Sequence, residues 1–178
     1  ALIFLGLFTY YIVHFGYYPT LIVNGQWISA VRVMRDIDAS YAYYVRLAEA
    51  QKMPLNPATV TREVRRATFE RLIEATLVSD GLQSRLGGQA AAVVDQKIAS
   101  AVTRSAELSS AAKALYGWDS ETLRRLLLEP QAKIDVLSEE LAAGGTNYDE
   151  WLAQQKAAAD VKIFFAPYSW DGEKIVEK

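Results

Sequence analysis

The chain has no cysteine and a single histidine, and together these absences remove most familiar site chemistries. Without cysteine there are no disulfides, no thiolate nucleophiles and no thiolate-bound metals. With only His14, which lies in an apolar run, imidazole catalysis and multi-histidine metal sites go as well. Carboxylates remain the only metal ligands to consider, and neither a metal nor a cofactor is expected. An excess of positive charge is also missing: 19 basic residues face 21 acidic ones for a net charge of -2, which gives nucleic acid no global electrostatic invitation. No catalytic motif is legible. The carboxylates on which an enzyme could rest are Asp36, Asp38 and Glu49, and Asp36 and Asp38 are two apart, pointing to different sides of a helix. Repeats and low-complexity tracts are absent.

No charged residue of either sign precedes Arg32. The opening ALIFLGLFTYYIVHFGYYP supplies a helix of about 18 residues, about 27 Å at ~1.5 Å per residue, close to the hydrocarbon thickness of a bilayer. Residues 1–19 are therefore expected to be a transmembrane anchor, with Tyr17 and Tyr18 in an interfacial aromatic belt and the exit near Pro19. A cleaved signal peptide is the rival reading, but no small-x-small site follows the run. A buried core helix without any polar face is the third. The chain starts at Ala1 with neither methionine nor a basic flank, the pattern of a truncated N-terminus, so the positive-inside rule gives no orientation.

What is present is enough for one core: 51% of the residues are hydrophobic, and one domain is expected after the anchor. LIVNGQWI, residues 21–28, reads as two short strands around an Asn24-Gly25 hairpin turn. Ser29 can cap a helix running to about Gln51, with Ile28 and Val33 as a hydrophobic staple and a stripe through Ile37, Tyr41, Tyr44, Val45 and Ala48. Asn56 and Pro57 open the next helix, stapled by Leu55 and Val60. Its core face is read as Val60, Val64, Ala67, Leu72, Ile73, Thr76 and Leu77. Its outer face carries Arg62, Arg65, Arg66, Glu70, Arg71 and Glu74, read as solvated, with a phosphate or anionic-lipid site as the sharper alternative. Gly87-Gly88 ends that helix and an alanine-rich one follows to about Arg104. Asn147 and Glu150 have capping-box spacing for a short helix from Tyr148, VKIFFAP is a strand closed by Pro167, and Asp171-Gly172 turns a last weak hairpin. The strand near 161–165 is expected to pair with the one near 21–28.

Between these elements lies LYGWDSETLRRLLLEP. Gly117 suits the left-handed position past a helix end and Asp119 the N-cap of the next helix, with Glu121 in its first turn. Trp118 can staple Leu123 across that cap, although tryptophan is also enriched in recognition sites. Pro130 predicts a kink or break near Glu129.

The order of these motifs resembles the SurA-type chaperone domain. VNGQWIS before a helix, VRRATFERLIEATLVSD, LYGWDSETLRRLLLEPQ and WLAQQKAAADVKIF look like its successive segments, over most of Leu21 to Phe165. In SurA and PrsA relatives a parvulin isomerase domain usually lies before the last segment. Here that interval is LAAGGTN, residues 141–147, too short for a domain, and the histidines of such a site are missing. The resemblance thus implies a chaperone module without isomerase activity.

The expected fold class is mainly α: an irregular bundle of about five to six helices with a short β element from strands near 21–28 and 161–165. The expected domains are 1–19 as anchor, 20–166 as SurA-like helical domain and 167–178 as C-terminal tail. The expected function is a membrane-tethered module, facing the periplasm or extracellular side, that binds unfolded or newly exported polypeptides. Tyr41, Tyr44, Tyr116, Trp118 and Trp151 are its candidate peptide-binding residues. A structural adaptor holding one dedicated partner in an envelope complex is the alternative.

Overall fold

A computed structural model describes residues 16–104 and 107–178. The fold is mainly α, with small antiparallel sheets at one end. β1 (Pro19–Val23) and β2 (Gln26–Ser29) form a hairpin whose turn puts Asn24 at φ +49° and Gly25 at φ +82°, the positive angles that this dipeptide tolerates best. The same asparagine reaches across the chain. Its amide donates to the Asp160 carbonyl at 2.9 Å and its side chain accepts from the Asp160 amide at 3.0 Å. That clamp brings in β3 (Val161–Ile163), which pairs antiparallel with β1 in the order β2-β1-β3. The expected pairing of the two ends of the domain is therefore observed. β3 stops earlier than the expected strand, because Phe165 adopts φ +58° and turns the chain.

α1 (Ala30–Gln51) follows β2 directly, and α2 (Pro57–Leu86) is the spine, about 45 Å long at ~1.5 Å per residue. Asn56 caps α2, accepting from the amides of Ala58 and Thr59. A single turn at Gly87–Gln89 leads to α3 (Ala90–Arg104), and α4 (Leu108–Tyr116) ends at Gly117, left-handed at φ +72°. Asp119 caps α5 (Ser120–Leu123), accepting from the Thr122 amide at 2.7 Å. The proline predicted to kink or break the next helix does not break it. Residues 124–128 widen into a π turn and α6 (Glu129–Ala143) continues from it. Pro130 has no N–H and would crowd the carbonyl four residues back, and a π turn is one way to take up that misfit. Asn147 caps α7 (Tyr148–Ala158), which runs into β3.

The apolar residues form two clusters along the spine. Leu21, Val23 and Ile28 of the first hairpin meet Val33 and Ile37 of α1 and Val64, Phe69, Leu72, Ile73 and Leu77 of α2. Farther along α2, Val78 and Leu82 meet Val94 and Ile98 of α3 and Val136, Leu137 and Leu141 of α6. Ala67, read above as a core position, is exposed, and Thr68 and Phe69 take the buried arc in its place. Residues 167–178, read above as a tail, fold into β4 (Tyr168–Trp170) and β5 (Ile175–Glu177) around Asp171. Tyr168 and Ile175 enter the first cluster, and Glu70 accepts from the Ile175 amide at 3.0 Å.

The first fifteen residues of the expected anchor lie outside the described residues. Its last four are not helical. Gly16 turns at φ +69°, its carbonyl and that of Tyr18 accept from Val31 and Ala30 at the start of α1, and Pro19 opens β1. Among the described residues no helix is long and apolar enough to cross a membrane.

Candidate functional site

Two surface features stand out, one apolar and one charged. The apolar one lies where α1 turns into α2. Lys52 ends α1 in the left-handed conformation at φ +52°, which folds Met53, Pro54 and Leu55 back beside Tyr44, Leu47 and Val60 around a groove of about 220 Å³. Met53 and Tyr44 keep about half of their surface in solvent, at 54% and 45%. Tyr44 is also the outermost ring of an aromatic cluster. Its centroid lies 5.2 Å from that of Tyr43, which in turn lies 5.0 Å from Tyr116 and 5.8 Å from Trp118. Leu115, the chain neighbour of Tyr116, is exposed.

The cluster explains the corner at Gly117. Trp118 is half-buried and donates its indole N–H to the Ala39 carbonyl of α1 at 3.1 Å, so it pins α4 and α5 onto α1. Gly117 suits the position because its φ is positive; a Cβ would lie 2.6 to 2.8 Å from the Arg46 guanidinium, but that is the end of a flexible, exposed side chain that can move aside. Of the five aromatic residues singled out in the sequence, Tyr44, Tyr116 and Trp118 come together here. Tyr41 instead packs against the first core cluster and Trp151 against the second, with the Trp151 ring seated over Gly81 of α2. Tyr43, absent from that set, is the ring that joins the others.

The charged feature is a hollow of about 100 Å³ between α1, α2, α6 and the π turn. At its floor is Asp36, 1% exposed. The Arg71 guanidinium donates to one of its oxygens at 2.6 Å, and Arg125 of the π turn contacts the other. Arg32, one helical turn before Asp36, stands at the mouth and makes no ion pair among the described residues. Arg32 keeps solvent access, yet the protein crowded around it pushes its pKa down, mainly by desolvation and then by repulsion from Arg71, with the Glu129 carboxylate pulling the other way. Burial pushes Arg71 down as well, and burial followed by Arg35 and Arg32 does the same to Arg125. Tyr148 lines the same space, and burial, with help from Glu74 and Asp149, pushes its phenol up to about 12, so that it remains a hydroxyl donor. Sequence reasoning placed Arg71 on a solvated face and considered Asp36 only beside Asp38. The available signal was the position of Asp36 between Val33 and Ile37, on the buried side of α1.

Among the described residues no group of three or more histidines and acids is placed to hold a metal. Comparison with known protein families, with curated proteins and with solved structures gives no match.

Proposed function

We propose that the chain is a chaperone-like module that holds apolar segments of unfolded or newly exported polypeptides, as the resemblance to SurA-type domains implies, and that it has no isomerase activity. The observation that carries this reading is the apolar groove where α1 turns into α2, lined by Tyr44, Leu47, Met53, Leu55 and Val60, with Met53 and Tyr44 exposed. Apolar contact is non-directional, so one such surface accepts many sequences, and methionine and tyrosine adapt to them at low entropic cost. Burying one such side chain contributes about 1.5–3 kcal/mol, roughly one to two decades of affinity.

The membrane tether belongs to the same proposal. Its support is the uncharged stretch before Gly16 together with the exposed rings at the opposite end of the domain. Tyr17 and Trp27 line one dent there, and Phe165, 83% exposed, stacks edge-on against Tyr18 at 5.3 Å. Aromatic residues of this kind favour the membrane interface. Val31 and Leu47, near the two ends of α1, are about 24 Å apart at ~1.5 Å per residue, so the groove would face away from the bilayer.

The test is suppression of aggregation of a reduced client by the full chain kept in detergent. Suppression at molar excess is expected, with a loss of roughly ten- to a hundredfold in potency for Tyr44→Ser combined with Met53→Ser, whose exposed halves together amount to about one side chain. No suppression by the unaltered chain would sink the reading. Because the chain has no cysteine, Glu173→Cys at an exposed position gives a single thiol. Its labelling by an impermeant maleimide in intact cells is expected if the domain faces outward, and labelling only after lysis refutes that orientation.

A further inference from the structure

The charged hollow has a property that the peptide-binding reading does not use. Seven ionisable side chains besides Tyr148 line it, and their pairing is uneven. Lys133 is matched by Glu129 at 2.7 Å, and Glu74 by Lys156 at 3.0 Å from outside the hollow. That leaves Asp36 as the one carboxylate ion-paired with Arg71 and Arg125 among the described residues, while Arg32 feels only the longer-range attraction of Glu129, which is already bound to Lys133. Arg35 adds a fourth positive charge nearby, and its carboxylate partner, Glu121, lies 3.6 Å away on the exposed side.

If Asp36 served only to tie three helices together, two arginines would suffice, one for each oxygen. Arg32 is surplus to that bond. It sits four residues before Asp36, hence on the same helix face, and its guanidinium repels those of Arg71 and Arg125. The Arg125 Nε is buried without an acceptor among the described residues. Holding like charges together in a partly desolvated space costs free energy unless an anion offsets it. The hollow has room for one, since about 100 Å³ is several times the roughly 10–15 Å³ that seats a water.

We propose that this hollow binds a phosphate group. Arg32 and Arg125 contact the phosphate directly, Arg71 contributes charge while holding Asp36, and the neutral Tyr148 hydroxyl is available as a further donor. Guanidinium groups present their N–H donors in a planar fork that matches phosphate oxygens. An excess of two positive charges favours the dianion over a monocarboxylate. The proposal is independent of the peptide-binding reading: either can fail while the other stands.

The experiment is calorimetric titration of the full chain with inorganic phosphate, and separately with acetate, at constant ionic strength. One-to-one saturable binding of phosphate is expected, at least tenfold tighter than acetate. Arg32→Gln is the diagnostic variant because Arg32 makes no ion pair whose loss would unfold the domain. It is expected to weaken phosphate binding at least tenfold while the melting temperature without phosphate stays the same or rises, since the repulsion among the arginines is relieved. Arg66→Gln is the control, since that arginine is already paired with Glu63 at 2.8 Å, and it should bind phosphate as the unaltered chain does. Glycerol 3-phosphate, added as a third titrant, supports a phosphomonoester ligand if it binds more tightly than phosphate and a free phosphate if it binds more weakly. Absence of saturation, equal affinity for phosphate and acetate, or unchanged binding by Arg32→Gln each overturns the proposal.

Discussion

Replacing Asp36 by asparagine tests whether the charged hollow organises the fold. The carboxylate is 1% exposed, accepts from Arg71 at 2.6 Å and touches Arg125, whose side chain is 16% exposed. Asparagine keeps the shape but turns one acceptor into an NH2 donor facing a guanidinium, and it removes the only negative charge between two arginines. Breaking a buried pair by removing one partner costs about 3–5 kcal/mol. Arg71 is about a third exposed, so its share is discounted and the lower end, about 3 kcal/mol, is expected. Against a total stability of about 5–15 kcal/mol this is a large fraction, equivalent to roughly 6–12 °C in Tm for a chain of this length. Urea unfolding followed by tryptophan fluorescence measures it. Combining Asp36→Asn with Arg125→Met should recover part of the loss, because an apolar side chain needs no counter-charge. A loss below about 1 kcal/mol for Asp36→Asn would show that water already screens the triad, and the reasoning about its charge balance would be wrong.

Gly81→Ala sets helix propensity against packing. Alanine should gain about 1 kcal/mol in a helix interior, but its Cβ would lie 2.6 Å from the Trp151 ring, and overpacking of that kind costs about 1–3 kcal/mol. A net loss is expected by thermal melting, turning into a gain when the same change is made alongside Trp151→Leu. A loss of equal size in both backgrounds would refute the contact. Tyr148 has a folded-state pKa raised from 10.0 to about 12, so its contribution is fully present below pH 10 and is lost as pH rises through 12. Burial raises Tyr168 as well, so ultraviolet titration of the phenols should show late-ionising tyrosines and one fewer of them in Tyr148→Phe; identical curves for the two proteins would contradict the burial argument.

Local grammar carried most of the element boundaries. Asn24-Gly25, Asn56-Pro57, Gly117 with Asp119, and Asn147 act within four residues of themselves, and each holds the turn or cap that its chemistry favours. The proline after the π turn was legible as a defect, but its form was not, because packing decides between a kink and a widened turn. Contacts that join distant residues left little trace. Asp36 meets Arg71 from 35 positions away, and nothing local separates an arginine bound for a buried carboxylate from its solvated neighbours Arg65 and Arg66. The same holds for Gly81, an unremarked glycine in a helix until Trp151 is laid over it. Tyr41 and Tyr44 share one stripe in the sequence but differ in burial, because an apolar arc wide enough to include both also reaches past the edge of the core.

The pairing of β1 with β3 sets an order of events during synthesis. Leu21 and Val23, both without solvent exposure, need a partner strand that begins at Val161. Closing a loop of roughly 140 residues costs about 4 kcal/mol in chain entropy before the contact is rewarded. The first hairpin therefore emerges with one edge open and stays so until nearly the whole domain has been made. Closure of this sheet must wait until Val161–Ile163 has left the ribosome, and synthesis stalled before residue 161 would leave α1 and α2 with their main core unsealed.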